Sequence, residues 1–216
     1  MRGRFITFEG GEGSGKSTQA RLLADALGAH GIAVTQTREP GGSPFAEAVR
    51  GMVMSTAHAA VTPLAEALLF SAARADHLVA TIRPALGAGR WVVCDRFADS
   101  TRVYQGAAAG LDSAHIETLE RMVVGETAPD LTLLLDIDPA EGLARATARR
   151  SDGSAAPIDA DTFENRHLDF HARLRAGFLA IAASEPRRLA TIDATPDRDL
   201  VRDAIWAVVT ERLGPF

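Results

Sequence analysis

Three short apolar runs, at 91–94, 131–135 and 189–192, each end on an aspartate: Asp95, Asp136 and Asp193. None of them alternates with polar residues, which predicts strands covered on both faces of a parallel sheet. Residues 4–9 and 32–37 predict two more strands. Between them the period changes to that of a helix. Over 16–27, Ala20, Leu23, Ala24 and Leu27 share one face, and Gly28 and Gly31 stop the run. Pro63 opens a helical stretch reaching to 86, with Pro84 expected to kink or shorten it. A last helix over 197–213 turns Val201, Ile205, Val208 and Val209 inward. Strand and helix alternate, so the pattern predicts repeated βα units in one doubly wound α/β layer.

Composition narrows the classes. The 216 residues are 46% hydrophobic and 24% charged, enough for one cored domain over 1–216 and too apolar for a disordered chain. A net charge of −5 argues against a protein that coats nucleic acid, but allows a local basic cluster for a small anion. Cys94 is the single cysteine, so no intrachain disulfide can form, and a reducing, cytoplasmic setting is expected. No stretch of about 18 apolar residues predicts a membrane span. Of the 23 basic side chains only Lys16 is a lysine.

That lysine lies in Gly10-Gly11-Glu12-Gly13-Ser14-Gly15-Lys16-Ser17, an uninterrupted G-x-x-x-x-G-K-[ST] between a predicted strand and a predicted helix. Glycines let consecutive backbone N–H groups curl around phosphate oxygens, and the following helix turns its positive end toward the same anion. Lys16 supplies a mobile charge for the β- and γ-phosphates, and the Ser17 hydroxyl suits Mg²⁺. Residues Gly10 through Thr18 are therefore the expected ATP site. The fold expected is a three-layer α/β/α P-loop NTPase with a mainly parallel, five-stranded sheet. A guanine-specific switch would need a second lysine in an N-K-x-D motif, which this chain lacks.

Four further segments follow in order: Thr37-Arg38-Glu39-Pro40-Gly41-Gly42; Leu68 to Arg74; Val93-Cys94-Asp95-Arg96-Phe97 with Ser100, Thr101, Tyr104, Gln105 and Gly106; and Pro129-Asp130-Leu131-Thr132-Leu133. Their order and spacing resemble the thymidylate kinases, from residue 4 to about residue 182. The resemblance implies ATP and dTMP as substrates, Mg²⁺ as cofactor and a homodimer, with no nucleic-acid or membrane partner. It implies that Arg38 and Arg96 hold the acceptor phosphate, a task suited to the planar guanidinium fork. It also implies that Phe70 stacks on thymine, that Arg74 bonds a base carbonyl, and that Tyr104 crowds the sugar 2′ position. Ser100 and Gln105 would shape the base pocket, and Glu12 would meet the acceptor sugar or a cation. Asp95 would hold a metal-bound water, or alternatively lock Arg96 or Arg38.

Two departures stand out. Some thymidylate kinases carry an arginine directly after the loop acid, where this chain has Gly13. The missing charge is expected from a mobile lid at about 142–164, resembling the bacterial arrangement, with Arg149 foremost and Arg145 and Arg150 behind it. Thr162 stands where the pattern D-R-x-E would place an arginine. Besides phosphorylation of dTMP, two alternatives remain at this point: an ATP-binding regulatory P-loop protein, and a kinase acting on the hydroxyl of a deoxynucleoside.

Overall fold

The computed structural model describes residues 2–54, 61–151 and 167–216. Five strands form one sheet: β1 (Phe5–Glu9), β2 (Val34–Arg38), β3 (Trp91–Asp95), β4 (Leu131–Asp136) and β5 (Leu189–Asp193), in the order β2-β3-β1-β4-β5. Every neighbouring pair is parallel, so the expected sheet is present and wholly rather than mainly parallel. The order reverses at β1, the topological switch point at whose strand tips open α/β sheets bind ligands. The central strands β1 and β4 are buried nearly throughout, as unbroken apolar runs require. The run that became β5 lies at an edge, where Thr191 and Asp193 are exposed.

Helices cover both faces. On one, α1 (Lys16–Ala29) and α9 (Arg198–Leu213) pack Leu23, Leu27, Ile205 and Val209 against Ile6, Leu133 and Leu135. On the other lie α2 (Pro44–Met54), α3 (Pro63–His77) and α8 (Leu168–Ser184), with Val49, Ala73, Leu174 and Phe178 in contact around Leu134. The stretch expected as one helix to 86 runs as α3, a π-helical turn over Leu78–Ile82, and α4 (Arg83–Gly87). Pro84 brings no N–H and its ring would meet a carbonyl one turn back. The wider turn just before it relieves that conflict, and Pro84 then sits in the first turn of α4.

After β3 come the short α5 (Ala98–Thr101), a second π-helical segment over Arg102–Ala108, and α6 (Ser113–Val123). Helix α7 (Pro139–Ser151) follows β4. The expected lid at 142–164 thus begins inside a helix, and its residues 152–164, with Thr162, lie outside the described residues. Among the described residues no helix is long and apolar enough to cross a membrane.

Leu133 is fully buried on β4 in the sheet centre. Leu133→Ala should cost about 2–5 kcal/mol of unfolding free energy, read as a lower urea midpoint at unchanged slope.

Candidate active site

The phosphate loop leaves β1 at Gly10 and enters α1 at Gly15, whose left-handed backbone (φ +90°) caps the helix without a side-chain bond. The first N–H groups of α1 therefore have no side-chain acceptor and suit an anion. Lys16 Nζ donates to Gly11 O at 2.6 Å and to Ser14 Oγ at 3.3 Å. Burial, helped by nearby Arg96, pushes its pKa down to about 8, against the pull of Glu12, Asp95 and Glu9. It is still mostly charged at neutral pH. Thr18 lies half-buried in the first turn of α1.

Gly13 explains the first departure from the family pattern. Its φ is +69°, and a Cβ there would stand 1.8 Å from Gly142 O at the root of α7. A Cβ on Gly142 would in turn stand 2.4 Å from Glu12 O. Two glycines let the loop and α7 touch backbone to backbone, so an arginine cannot occupy position 13 in this packing.

Ser17 Oγ donates to Asp95 Oδ2, which brings the two expected metal-site residues together across α1 and β3. Asp95 Oδ1 is buried with no hydrogen-bond partner. A hydroxyl beside an unsatisfied carboxylate oxygen suits a hard divalent cation that keeps most of its ligands as water or phosphate. Among the described residues no group of three or more His, Cys, Asp or Glu forms a metal cage. The lock that Asp95 could have placed on Arg96 or Arg38 is not made by a hydrogen bond: that partner is Ser17.

Arg96 is held elsewhere. Its Nη2 donates to Glu12 Oε1 at 2.6 Å and its Nη1 to Gly10 O at 3.1 Å, while Tyr104 Oη donates to the same Glu12 oxygen at 2.6 Å. The guanidinium also lies 5.0 Å from the Tyr104 ring centroid. Burial would raise the pKa of Glu12, but Arg96, Lys16 and the Tyr104 hydroxyl overcome it and hold the carboxyl down to about 2. Arg96 has φ +67°, the sole left-handed non-glycine among the described residues, a conformation that costs on the order of 1–3 kcal/mol unless its surroundings enforce it.

Phe70, Arg74, Arg96, Ser100, Tyr104 and Gln105 all line one cavity beside the loop. The fold thus brings six of the eight expected substrate-binding residues to one cavity, while Glu12 and Arg38 do not line it. Arg74 is buried: Nε donates to Glu39 Oε2 at 2.7 Å, and Nη2 to Phe97 O at 3.1 Å and Thr101 Oγ1 at 3.2 Å. Gln105 Nε2 donates to Glu66 Oε2 at 3.2 Å. Arg38 ends β2 beside Asp95, at the tip neighbouring Arg96, but its Nη2 is turned to both Glu47 oxygens at 3.0 and 3.1 Å and its side chain is half-exposed. Arg145 donates to Glu141, Ala194 O and Thr195 O, which ties α7 to the loop after β5. Arg149 lies exposed one turn further along α7. The side chain of Arg150 lies outside the described residues.

Three residues escaped the sequence reading. Glu39 enters the sequence reading only as a member of the Thr37–Gly42 segment, with no role of its own, yet it accepts from both Arg74 and His77 Nδ1, the latter at 3.0 Å. His77 is fully buried, with Nε2 2.7 Å from Thr37 Oγ1. Glu9, the last residue of β1, is fully buried too. A charged residue closing an apolar strand was the available signal. Its Oε1 accepts from Phe97 N at 2.8 Å and Ser100 N at 3.1 Å, and Ser100 Oγ donates to Oε2 at 2.6 Å.

Residues 8–205 match the family profile described as thymidylate kinase. The chain belongs to the thymidylate kinase family. It is 53% identical over 213 residues to the thymidylate kinase of Caulobacter vibrioides, which covers 99% of each chain. The thymidylate kinase of Nitrobacter winogradskyi is 52% identical over 212 residues, 98% of this chain and 90% of that one. Among solved structures, the thymidylate kinase of Ehrlichia chaffeensis superposes with a TM-score of 0.77 at 33% identity, over 97% of this chain and 100% of that one. The family membership agrees with the loop, the switch-point cavity and the two strand-tip arginines.

Burial, with the nearby charge of Asp99, raises the Glu9 pKa from 4.5 to about 7, against the pull of Ser100, Arg96 and Phe97. Between those two values the folded state binds the proton more tightly than the unfolded chain. Stability contributed at this group is therefore lost as pH rises from 4.5 toward 7. Urea unfolding of the wild type and Glu9→Gln at about pH 5 and about pH 7.5 should show the wild type losing ground to the variant by up to about 3 kcal/mol. An equal gap at both pH values would contradict the shift.

Proposed function

We propose that this enzyme transfers the γ-phosphoryl group of ATP to dTMP, giving ADP and dTDP. The observation that carries the reading is the Glu12–Arg96–Tyr104 junction: one carboxylate of the phosphate loop is bonded to two residues of the acceptor cavity. Donor and acceptor phosphates would meet there, on either side of Arg96.

Lys16 leaves the Gly11 carbonyl to pair with the donor phosphates. Arg96, kept charged by Glu12 and Tyr104, faces the acceptor phosphate. Arg38 exchanges Glu47 for the same anion. Phe70 stacks on the base. Arg74 meets the base edge through Nη1, since its Nε and Nη2 are taken by protein acceptors. Tyr104 crowds the sugar beside Glu12, and Ser100 and Gln105 wall the pocket. Arg149, exposed on α7, would bring its charge over the phosphates. The attacking oxygen belongs to an already ionised phosphate, so no strong general base is required, and alignment with charge neutralisation supplies the rate. Ser17 and Asp95 would hold Mg²⁺, directly or through water, and the ion would neutralise charge on the donor phosphates. We further propose a homodimer, supported by the exposed Leu64 and Leu68 on α3 and Met122 on the adjoining α6. The same reading places the enzyme in the cytoplasm, where the buried Cys94 stays a thiol.

A substrate panel with ATP and Mg²⁺ tests the reading. Phosphorylation of dTMP should exceed that of AMP, CMP, GMP and thymidine; a preference for thymidine would make the enzyme a nucleoside kinase. Arg149→Ala should lower kcat about 100- to 1,000-fold, by the scale of other charge-stabilising donors, with an unchanged melting temperature. Arg74→Ala is a poor probe, because it strands buried Glu39. Phe70→Ala should instead raise KM for dTMP about tenfold and leave KM for ATP within about threefold.

A further inference from the structure

Arg96 carries the acceptor side of the site from a backbone conformation that arginine seldom adopts, and the bonds that enforce it come from β1. On the N-terminal side, Arg96 N donates to Phe8 O at 2.9 Å. On the C-terminal side, the next N–H, that of Phe97, donates to Glu9 Oε1 at 2.8 Å. Ser100 then fastens to both Glu9 oxygens through its N–H and hydroxyl, at 3.1 and 2.6 Å. Phe97 precedes α5 as its cap residue and offers no side-chain bond, so Glu9 performs that capping from a neighbouring strand. Two consecutive residues of β1 thus grip the chain on either side of Arg96. The guanidinium can then reach Gly10 O and Glu12 Oε1.

We propose that Glu9 is the positioning residue for Arg96: its carboxyl oxygens clamp the backbone after Arg96 and so aim the guanidinium at the acceptor phosphate. The proposal rests on the reading that Arg96 binds that phosphate. What matters is the reach of the side chain rather than its charge, because a carboxylate, a carboxylic acid and an amide can all accept two N–H bonds on one oxygen. A protonated carboxyl or an amide would donate to Ser100 Oγ from its other atom.

The test compares Glu9→Asp, which keeps the charge and loses one methylene, with Glu9→Gln, which keeps the reach and loses the charge. Each is also combined with Arg96→Ala, and kcat, KM for dTMP, KM for ATP and the melting temperature are measured. Glu9→Asp should lower kcat/KM for dTMP about 10- to 100-fold while KM for ATP stays within about threefold, and Glu9→Gln should stay within about threefold of wild type throughout. In the Arg96→Ala background, Glu9→Asp should cost less than about twofold more, since residues acting through one another do not add. Equal damage to ATP and dTMP, or full additivity with Arg96→Ala, would make Glu9 a plain core residue and overturn the proposal. Should Glu9→Asp not fold, Glu9→Gln decides alone: a loss of dTMP turnover beyond about tenfold would show that charge, not reach, is at work. If Arg96→Ala leaves KM and kcat for dTMP unchanged, the acceptor reading of Arg96 fails at its base and this proposal falls with it. That result is separable from a failure seen only in the Glu9 variants.

Discussion

A guanidinium has to stay charged, buried and correctly aimed where the phosphate loop meets the neighbouring cavity, and much of the site follows from how Arg96 meets that demand. Burial alone would favour losing the charge, but Tyr104, Glu12, Asp95 and Glu9 outweigh it and hold Arg96 protonated. The pair is reciprocal, since the same guanidinium keeps Glu12 ionised within the phosphate loop. An acid in a phosphate loop would repel its ligand if nothing neutralised it. Here it works as a hinge post, fixing one arginine and one tyrosine of the neighbouring cavity to the phosphate loop.

A second buried network underlies the cavity. Glu39 bridges Arg74 and His77, and His77 reaches on to Thr37, so the turn after β2 is bonded to α3 through side chains with almost no access to water. Breaking one member of such a set leaves its partner unpaired in a low-dielectric interior, which costs more than the bond itself contributes. Pocket shape and fold stability are therefore tied at Arg74, whereas Phe70 is only half-buried and makes a looser part of the wall.

The glycine pair at 13 and 142 sets another constraint. Contact between Glu12–Gly13 and the first turns of α7 leaves no room for a side chain at either glycine. The loop thereby gives up an arginine of its own, and α7 starts from a point pressed against the residue that anchors Arg96. Arg145 adds a tie from α7 to the loop after β5. The root of α7 is thereby held on two sides.

The parallel sheet and the phosphate loop were legible in the chain because their signals are local: unbroken apolar runs and a glycine spacing; the six cavity residues were reached only through the resemblance to a family. Burial then carried out what the pattern implied, since strands apolar on both sides have no other stable home. Long-range pairing was not legible. Nothing near Glu9 in sequence announces Phe97 and Ser100, nothing near Glu39 announces His77, and Gly13 reads as a missing arginine until Gly142 is seen against it. The partners in these cases lie on separate strands and helices, and only close packing, which leaves a buried donor or acceptor no water to turn to, brings them together.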